Sequence, residues 1–431
     1  MKFMFSHFLG NRRFILILAL ISFLNSLTLA SVIPILYTYA KTFDFSDFEI
    51  GLLFASFALA QFLATPIIGR LSDIYGRKPL LLISIFGTFL ASLIQAFAMA
   101  GWILFLGRVF DGLTGGNNSV AQAVISDTLP EKDRPSGFAI FGASFGLGFL
   151  FGPVISLVLV KLFQTNQSVY LFSALIALIT TIIVWFWLPE TNFTRETKKI
   201  DIVEILFLEL YRAIKMPIVG TILLLNFVTS FTIAIFNVAF QPYLVENLKL
   251  GQEYINYVLI VGGIINILFI GLVKIVTDRF GLYKVLNATF LLRFVLFGLI
   301  VLFSYSVTVF WISTILFALS SLLGRPVISS LLSKYGRPED QGVILGSAES
   351  LSSLGLAVGP LVFGLLSLPK KTDFAFFELD GVTNLLHILA SKNILSFLVI
   401  ALISLVTFGY SVHFTRKIQK LNPESLAKID F

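Results

Sequence analysis

Gly69-Arg70-Leu71-Ser72-Asp73-Ile74-Tyr75-Gly76-Arg77-Lys78 is a short charged turn set between two long apolar runs. Lys274-Ile275-Val276-Thr277-Asp278-Arg279-Phe280-Gly281-Leu282-Tyr283-Lys284 repeats its outline in the second half of the chain. Asp73 and Gly76 recur as Asp278 and Gly281, both pairs offset by 205 residues. The register extends further. Gly148-Phe-Leu-Phe-Gly152-Pro153 returns as Gly355-Leu-Ala-Val-Gly359-Pro360 at an offset of 207, and Pro130-Glu131 returns as Pro338-Glu339 at 208. An internal repeat of this length marks a duplicated architecture and has to be read before any single motif.

Outward from the turn, the chain is a series of apolar runs. Of its 431 residues 57% are hydrophobic and only 13% charged, where a soluble domain carries about 25% charged residues. A membrane span needs ~20 mostly apolar residues. Twelve runs meet that length, near 14–37, 49–69, 79–99, 102–125, 137–161, 169–188, 217–240, 252–273, 285–303, 307–330, 342–367 and 393–412. The first is too long for the apolar part of a secretory leader and eleven more follow, so it is read as a span. The fold expected is an all-α membrane protein of twelve transmembrane helices in two parallel six-helix repeats. The halves are read as 1–190 and 217–413, joined by a charged linker over 191–216 and followed by a tail over 414–431.

The basic residues orient these spans. Of the 31 Lys and Arg, 22 fall in the termini and the connections on the same side, 6 fall on the opposite side, and Arg108, Arg293 and Arg325 lie inside spans. Basic residues collect on the cytoplasmic side, so both termini are expected there, in a plasma membrane or a bacterial inner membrane. The net charge of +7 is then a topological signature, and no nucleic-acid partner is expected. The partners expected are a small-molecule substrate, protons and the lipid bilayer, and the chain is read as a monomer. Absence of Cys removes disulfides and thiolate chemistry. The three His, at 7, 387 and 413, have no metal-site spacing. No phosphate-binding loop or nucleophile–base set appears, so neither a cofactor nor an enzyme activity is expected.

Three intramembrane features carry chemistry. In span 4, Leu106-Gly-Arg108-Val-Phe-Asp111-Gly places two ionisable groups three apart on one helix face. At ~1.5 Å per residue Asp111 lies ~13 Å into a core of ~30 Å. Charges at that depth are functional candidates by default, with a static ion pair as the plain alternative. In the second half Arg293, Arg325 and Glu349 fall at similar depth and read as a buried cluster of one acid and two bases, functional or a structural charge pairing alike. Span 5 carries Gly142, Gly146, Gly148, Gly152 and Pro153, and small residues four apart let membrane helices pack backbone to backbone. Amides within the apolar runs need partners. Asn25, Gln61, Asn118, Gln122 and Asn237 are therefore read, with Arg293 and Arg325, as lining a substrate cavity.

The turn at 69–78 resembles the signature loop of the major facilitator superfamily nearly residue for residue. In that family the loop latches the two halves on the cytoplasmic side. The resemblance gives that role to Gly69, Asp73, Gly76, Arg77 and Lys78; from the residues alone, Asp127 at the cytoplasmic end of span 4 is read as the carboxylate for Arg77, with an ordinary basic loop as the plain alternative. The Gly-x-x-x-Gly-Pro run of span 5 looks like the signature of the drug:proton antiporter branch, although Ser156-Leu157 stands where that branch has Gly-Gly. Leu106-Gly-Arg108 and Val124-Ile-Ser-Asp127 resemble span 4 of tetracycline-type exporters, in which the Arg at the Arg108 position is functional. Those exporters carry acids in spans 1 and 9, where this chain has Asn25 and Arg293, and a His in span 8 that has no equivalent here. Asp111 is no part of that pattern and is taken from the residues alone.

The resemblance implies a proton-coupled antiporter that exports small hydrophobic or tetracycline-like compounds by alternating access. Asp111 or Glu349 is the candidate for carrying the proton, and Arg108 for tuning the Asp111 carboxyl. A proton symporter or facilitator importing a sugar or organic anion, favoured by the Arg residues of the second half, stays open, as does a non-transporting receptor on the same scaffold.

Overall fold

Apolar runs without water for their backbone have one local solution, the helix, which satisfies every N–H and C=O internally. The computed structural model describes residues 2–130, 133–192, 209–269, 271–335, 341–367 and 394–420. Most of the linker, the loop at 368–393, Pro338-Glu339 and the tail from 421 onward lie outside the described residues, and with them the expectations placed there. Among the described residues there is no strand. Among the described residues ten helices are long and apolar enough to cross a membrane, or eleven if a bent pair is counted as one span.

The helices run α1 Lys2–Lys41, α2 Asp47–Tyr75, α3 Arg77–Ala96, α4 Gly101–Thr114, α5 Asn117–Thr128, α6 Arg134–Phe163 and α7 Gln167–Trp187. They continue as α8 Glu209–Lys215, α9 Pro217–Pro242, α10 Glu253–Phe269, α11 Leu272–Phe280, α12 Leu282–Leu302, α13 Val307–Tyr335, α14 Gln341–Leu366 and α15 Leu395–Lys420. A π-turn at Tyr243–Asn247 closes α9. Two of the expected spans are not single helices. The run 102–125 breaks into α4 and α5 at Gly115-Gly116, each piece too short to cross alone. The run 252–273 becomes α10 and α11, bent by 64°. Apolar length fixes how far a run reaches, whereas Gly-Gly lets it stop being a helix on the way.

The described chain divides into two compact units. One holds α1, α3 to α7, most of α2, and the Ile255–Ile267 stretch of α10; the other holds α8, α9, α11 to α15, and the Ser46–Ala55 start of α2. In the first, a core of Leu18, Ile21, Leu81, Ile85, Val120, Val124 and Val184 joins α1, α3, α5 and α7. In the second, Val219, Ile222, Leu286, Phe290, Val327 and Leu331 join α9, α12 and α13.

The repeated glycines act alike in both units. A Cβ at Gly152 of α6 would come within 2.6 Å of Ala30 Cβ on α1, and one at Gly148 would strike the Ser26 hydroxyl. In the second unit a Cβ at Gly359 of α14 would come within 2.6 Å of Ala234 Cβ on α9, and one at Gly355 within 2.9 Å of the Phe227 carbonyl. Each pair permits backbone-to-backbone packing of the kind small residues allow in membranes. Pro153 follows in the same helix. Gly142 and Gly146 lie elsewhere on α6, with nothing within 4 Å of an added Cβ.

Candidate functional site

The first unit contains two polar constellations, one at the turn between α2 and α3 and one at the break between α4 and α5. At the turn, Gly76 starts α3 with φ 108° and ψ 155°, a conformation that side chains with a Cβ avoid. The chain reverses there and presents the first N–H groups of α3 with no side-chain cap of their own. Glu190, beyond α7, supplies one. Its carboxylate accepts the N–H of Arg77 at 2.9 Å, of Lys78 at 3.2 Å, of Thr191 at 2.8 Å and of Asn192 at 2.9 Å. Burial alone would push the Glu190 carboxyl up, but these backbone donors hold it below its ordinary value.

Arg77 is the hinge pin of the same cluster. Its Nη1 lies 2.6 Å from Asp73 and donates to Ser72 Oγ at 2.7 Å, while its Nε donates to Asp127 at 2.8 Å. Asp73 also meets Arg70 at 3.7 Å. Asn192 donates to the Asp73 carbonyl at 2.8 Å, and Lys78 Nζ to the Trp185 carbonyl at 2.7 Å. Gly69 is in ordinary contact range of Ser119, 3.9 Å from where a Cβ would sit. The ends of α2 and α5, the start of α3 and the segment after α7 are thus tied through one guanidinium and one carboxylate. The resemblance singled out Asp73 and Arg77, and the reading of the residues added Asp127. Glu190 was missed, although an acid directly after the aromatic run Trp185-Phe-Trp-Leu-Pro is a visible signal.

The second constellation surrounds a cavity of about 50 Å³, room for a few waters. Arg108 and Asp111 of α4 line it with Asn25 of α1, Gln61 of α2, Thr88 and Gln95 of α3, and Asn118 of α5. Arg108 is 5% exposed. Its Nη1 stands 4.0 Å from Asp111 Oδ2, an ion pair at its outer limit, and its guanidinium lies 4.2 Å above the centre of the Phe57 ring. Because α4 stops at Thr114, the Gly115 carbonyl is exposed to the cavity and accepts Gln61 Nε2 at 3.2 Å. Non-helical backbone at membrane depth is tolerated where it lines such a space. Asn25 Nδ2, Gln95 Oε1, Arg108 Nε and Asn118 Oδ1 are buried without a hydrogen-bond partner. Gln95 was not singled out from the sequence, although an amide inside span 3 was signal enough.

The other expected cavity residues sit elsewhere. Gln122 is exposed and absent from the lining. Asn237, on α9, is half-buried and its carbonyl accepts Gln241 Nε2 at 2.9 Å. The expected buried cluster of Arg293, Arg325 and Glu349 is corrected. Arg293 is fully buried, but Arg325 and Glu349 are exposed, and among the described residues no ion pair joins them. Equal depth along a helix says nothing of the face a residue occupies. Arg293 is instead solvated by neutral oxygens. It donates to Thr232 Oγ1 at 2.8 Å, Ser320 Oγ at 3.2 Å, the Thr229 carbonyl at 3.4 Å and Ser321 Oγ at 3.4 Å. Among the described residues no group of three or more His, Cys, Asp or Glu is placed to hold a metal ion.

Comparison with known proteins agrees with this architecture. The profile of the Major Facilitator Superfamily matches residues 18–218 and 222–410. The class B tetracycline resistance protein of Escherichia coli is 36% identical over 185 residues, 42% of this chain and 46% of that relative. That match thus spans about half the relative's length. The class C tetracycline resistance protein of Escherichia coli is 28% identical over 358 residues, 82% of this chain and 89% of the relative. Among solved structures, the human organic anion transporter MFSD10 (TETRAN) superposes with a TM-score of 0.68 at 18% identity, covering 93% of this chain and 99% of that one. The nucleoside transporter NupG superposes with a TM-score of 0.74 at 15% identity, with the same coverages. At such identities these two likenesses speak for the fold.

Proposed function

The chain belongs to the Major Facilitator Superfamily and is an integral membrane transporter of small molecules, not an enzyme; within that family we propose that it is a proton-coupled antiporter exporting small, mostly hydrophobic compounds. The observation that carries the reading is the Arg108–Asp111 pair on the wall of a polar cavity at a helix break. An intramembrane carboxylate beside a loosely held guanidinium can exist with or without a proton at modest cost, because Arg108 offsets the charge when it is present and burial favours the neutral form when it is not. Exchange of that proton for substrate on opposite sides of the membrane is what an antiporter requires. Export is supported by the names of the tetracycline resistance relatives. Asn25, Gln61 and Asn118 supply hydrogen-bonding groups to the same cavity, while Glu349 is a secondary candidate for the proton in the other unit.

In this reading the Arg77 cluster faces the cytoplasm and stabilises one state of the cycle. It draws the ends of α2, α3 and α5 into a fixed arrangement that must loosen when the transporter changes state.

A second reading is uptake of an organic anion. Arg293 favours it, as a buried cation with no acid partner among the described residues. The hydroxyls already around that guanidinium occupy most of its donors, which is why the first reading is preferred. The test is substrate-induced proton release in energised inside-out vesicles across a panel of tetracyclines and lipophilic cations. A compound that collapses the pH gradient with the native protein, and not with Asp111→Asn, supports antiport through Asp111. Collapse by no compound, together with uptake of an organic anion, would establish the second reading.

A further inference from the structure

Gln95 of α3 is 2% exposed and lines the polar cavity. Its Nε2 donates to the Ala91 carbonyl, one turn back, at 3.1 Å. The other end of the amide, Oε1, is not tied to the helix and is buried without a donor. Arg108 of α4 lines the same cavity, and its buried Nε–H has no acceptor. The two helices pack against each other here. Gly107 directly precedes Arg108, and a Cβ on it would stand 2.5 Å from Gln95 Cγ and 3.3 Å from Gln95 Cδ. Bare backbone on α4 thus makes way for the Gln95 side chain one residue from Arg108. A buried donor and a buried acceptor without partners each cost free energy. These two face one cavity of about 50 Å³, which gives the guanidinium space to turn. Asn118 Oδ1 is another unpaired oxygen in the lining; the Gly107 contact is what singles out Gln95.

We propose that Gln95 Oε1 is the second acceptor of Arg108: when Asp111 takes up a proton, the guanidinium releases the carboxyl and donates Nε–H to Gln95. This rests on the proton-coupling reading of Asp111. The one bond that forms is the O–H on Asp111, with a proton from the aqueous phase, and Arg108 keeps its charge throughout. The hold on Asp111, at 4.0 Å, is already at its outer limit. Neutralising the carboxylate removes the attraction that maintains it, and a neutral oxygen on the same cavity wall lowers the cost of leaving. Gln95 is a positioning residue, acting through Arg108 to stabilise protonated Asp111. Arg108 and Asp111 are the ionisable side chains of the lining, to which α1, α2, α3, α5 and α6 contribute amides, hydroxyls and apolar groups. The titratable neighbours of Gln95 are Tyr39 of α1, whose hydroxyl donates to the Gln95 carbonyl at 3.0 Å, and behind it Tyr170 of α7, with ring centres 5.2 Å apart.

The experiment is an infrared difference titration of the purified full-length protein in lipid, following the protonated-carboxyl band that Asp111→Asn removes. Gln95→Met keeps the length of the side chain and removes the acceptor, so Arg108 stays with the carboxylate. The titration midpoint is expected to fall by on the order of one pH unit, the worth of one charge-assisted hydrogen bond. In the Arg108→Gln background the same substitution is expected to leave the midpoint where it is, since no guanidinium remains to change partners. An unchanged midpoint in Gln95→Met overturns the proposal. So does an equal fall in Ser92→Ala, which alters the same helix and the same cavity, because the effect would then belong to cavity polarity. Should Gln95→Met not fold, Gly107→Ala decides: its Cβ displaces the Gln95 side chain from beside Arg108, and an unlowered midpoint there overturns the proposal equally. If the native protein shows no band sensitive to Asp111→Asn, the coupling reading itself fails, and this inference fails with it.

Discussion

The turn before α3 and the turn before α12 share a backbone and little else. Gly76 and Gly281 both start a helix at positive φ, 108° and 80°, with ψ of 155° and 151°. Around Gly76, Arg77 spans two carboxylates and Glu190 caps the helix from beyond α7. Around Gly281, Leu282 stands where Arg77 would be, a Cβ would meet nothing within 4 Å, and α11 buries no residue. Among the described residues no side chain takes Glu190's part at the start of α12. The backbone requirement, which is steric and local, is thus common to both turns, while among the described residues the side-chain network surrounds only the first. The asymmetry confines the side-chain network around such a turn to the first unit, among the described residues.

Buried charges differ between the units in the same way. Arg108 has a carboxylate within reach and an idle donor, whereas Arg293 is enclosed by hydroxyls and a carbonyl. A loosely held cation can change partners; a caged one is structural. The largest expected effect follows from the cage. Arg293→Ala strips Ser320 and Thr232 of their donor and leaves a void, at a cost of about 3–5 kcal/mol, read as a lowered unfolding temperature of the purified protein. A mild loss there, with transport abolished, would move Arg293 into the substrate path and erase the contrast with Arg108.

Next in size, Gly76→Ala places a Cβ at positive φ and against the Glu190 carboxylate, for about 2–3 kcal/mol. Gly281→Ala meets only the backbone strain, about 1–2 kcal/mol. Equal losses in thermal unfolding would show that the two turns are equivalent after all. The smallest effect is Glu190→Gln, about 1 kcal/mol. Because its folded-state value is depressed, the native carboxylate contributes stability above its unfolded value and loses it as pH falls through the folded one. Native protein should therefore lose more unfolding temperature than Glu190→Gln on acidification below the ordinary carboxylate range. Parallel curves would remove Glu190 from the cluster's energetics.

Much of the fold was legible because membrane helices obey a rule of length and apolarity that acts residue by residue. The positive-φ glycines were legible for the same kind of reason, since a φ requirement is written in one residue. Legibility failed where a face or a partner decided. Arg325 and Glu349 matched Arg293 in depth and not in orientation. Gly142 and Gly146 matched the spacing of Gly148 and Gly152, yet only the latter pair meets α1. Glu190 stands 113 residues from the Arg77 N–H it accepts, a pairing that no local window contains.

Sequence by itself determined that this chain is a set of long apolar helices with an internal repeat, because desolvation penalises every misplaced polar group wherever it falls. Tertiary structure alone decided which polar groups meet. The break at Gly115-Gly116, the cavity at Asp111 and the cap from Glu190 all depend on how helices distant in sequence are rotated against one another. Side-chain packing among many neighbours sets that rotation, and no single run of residues encodes it.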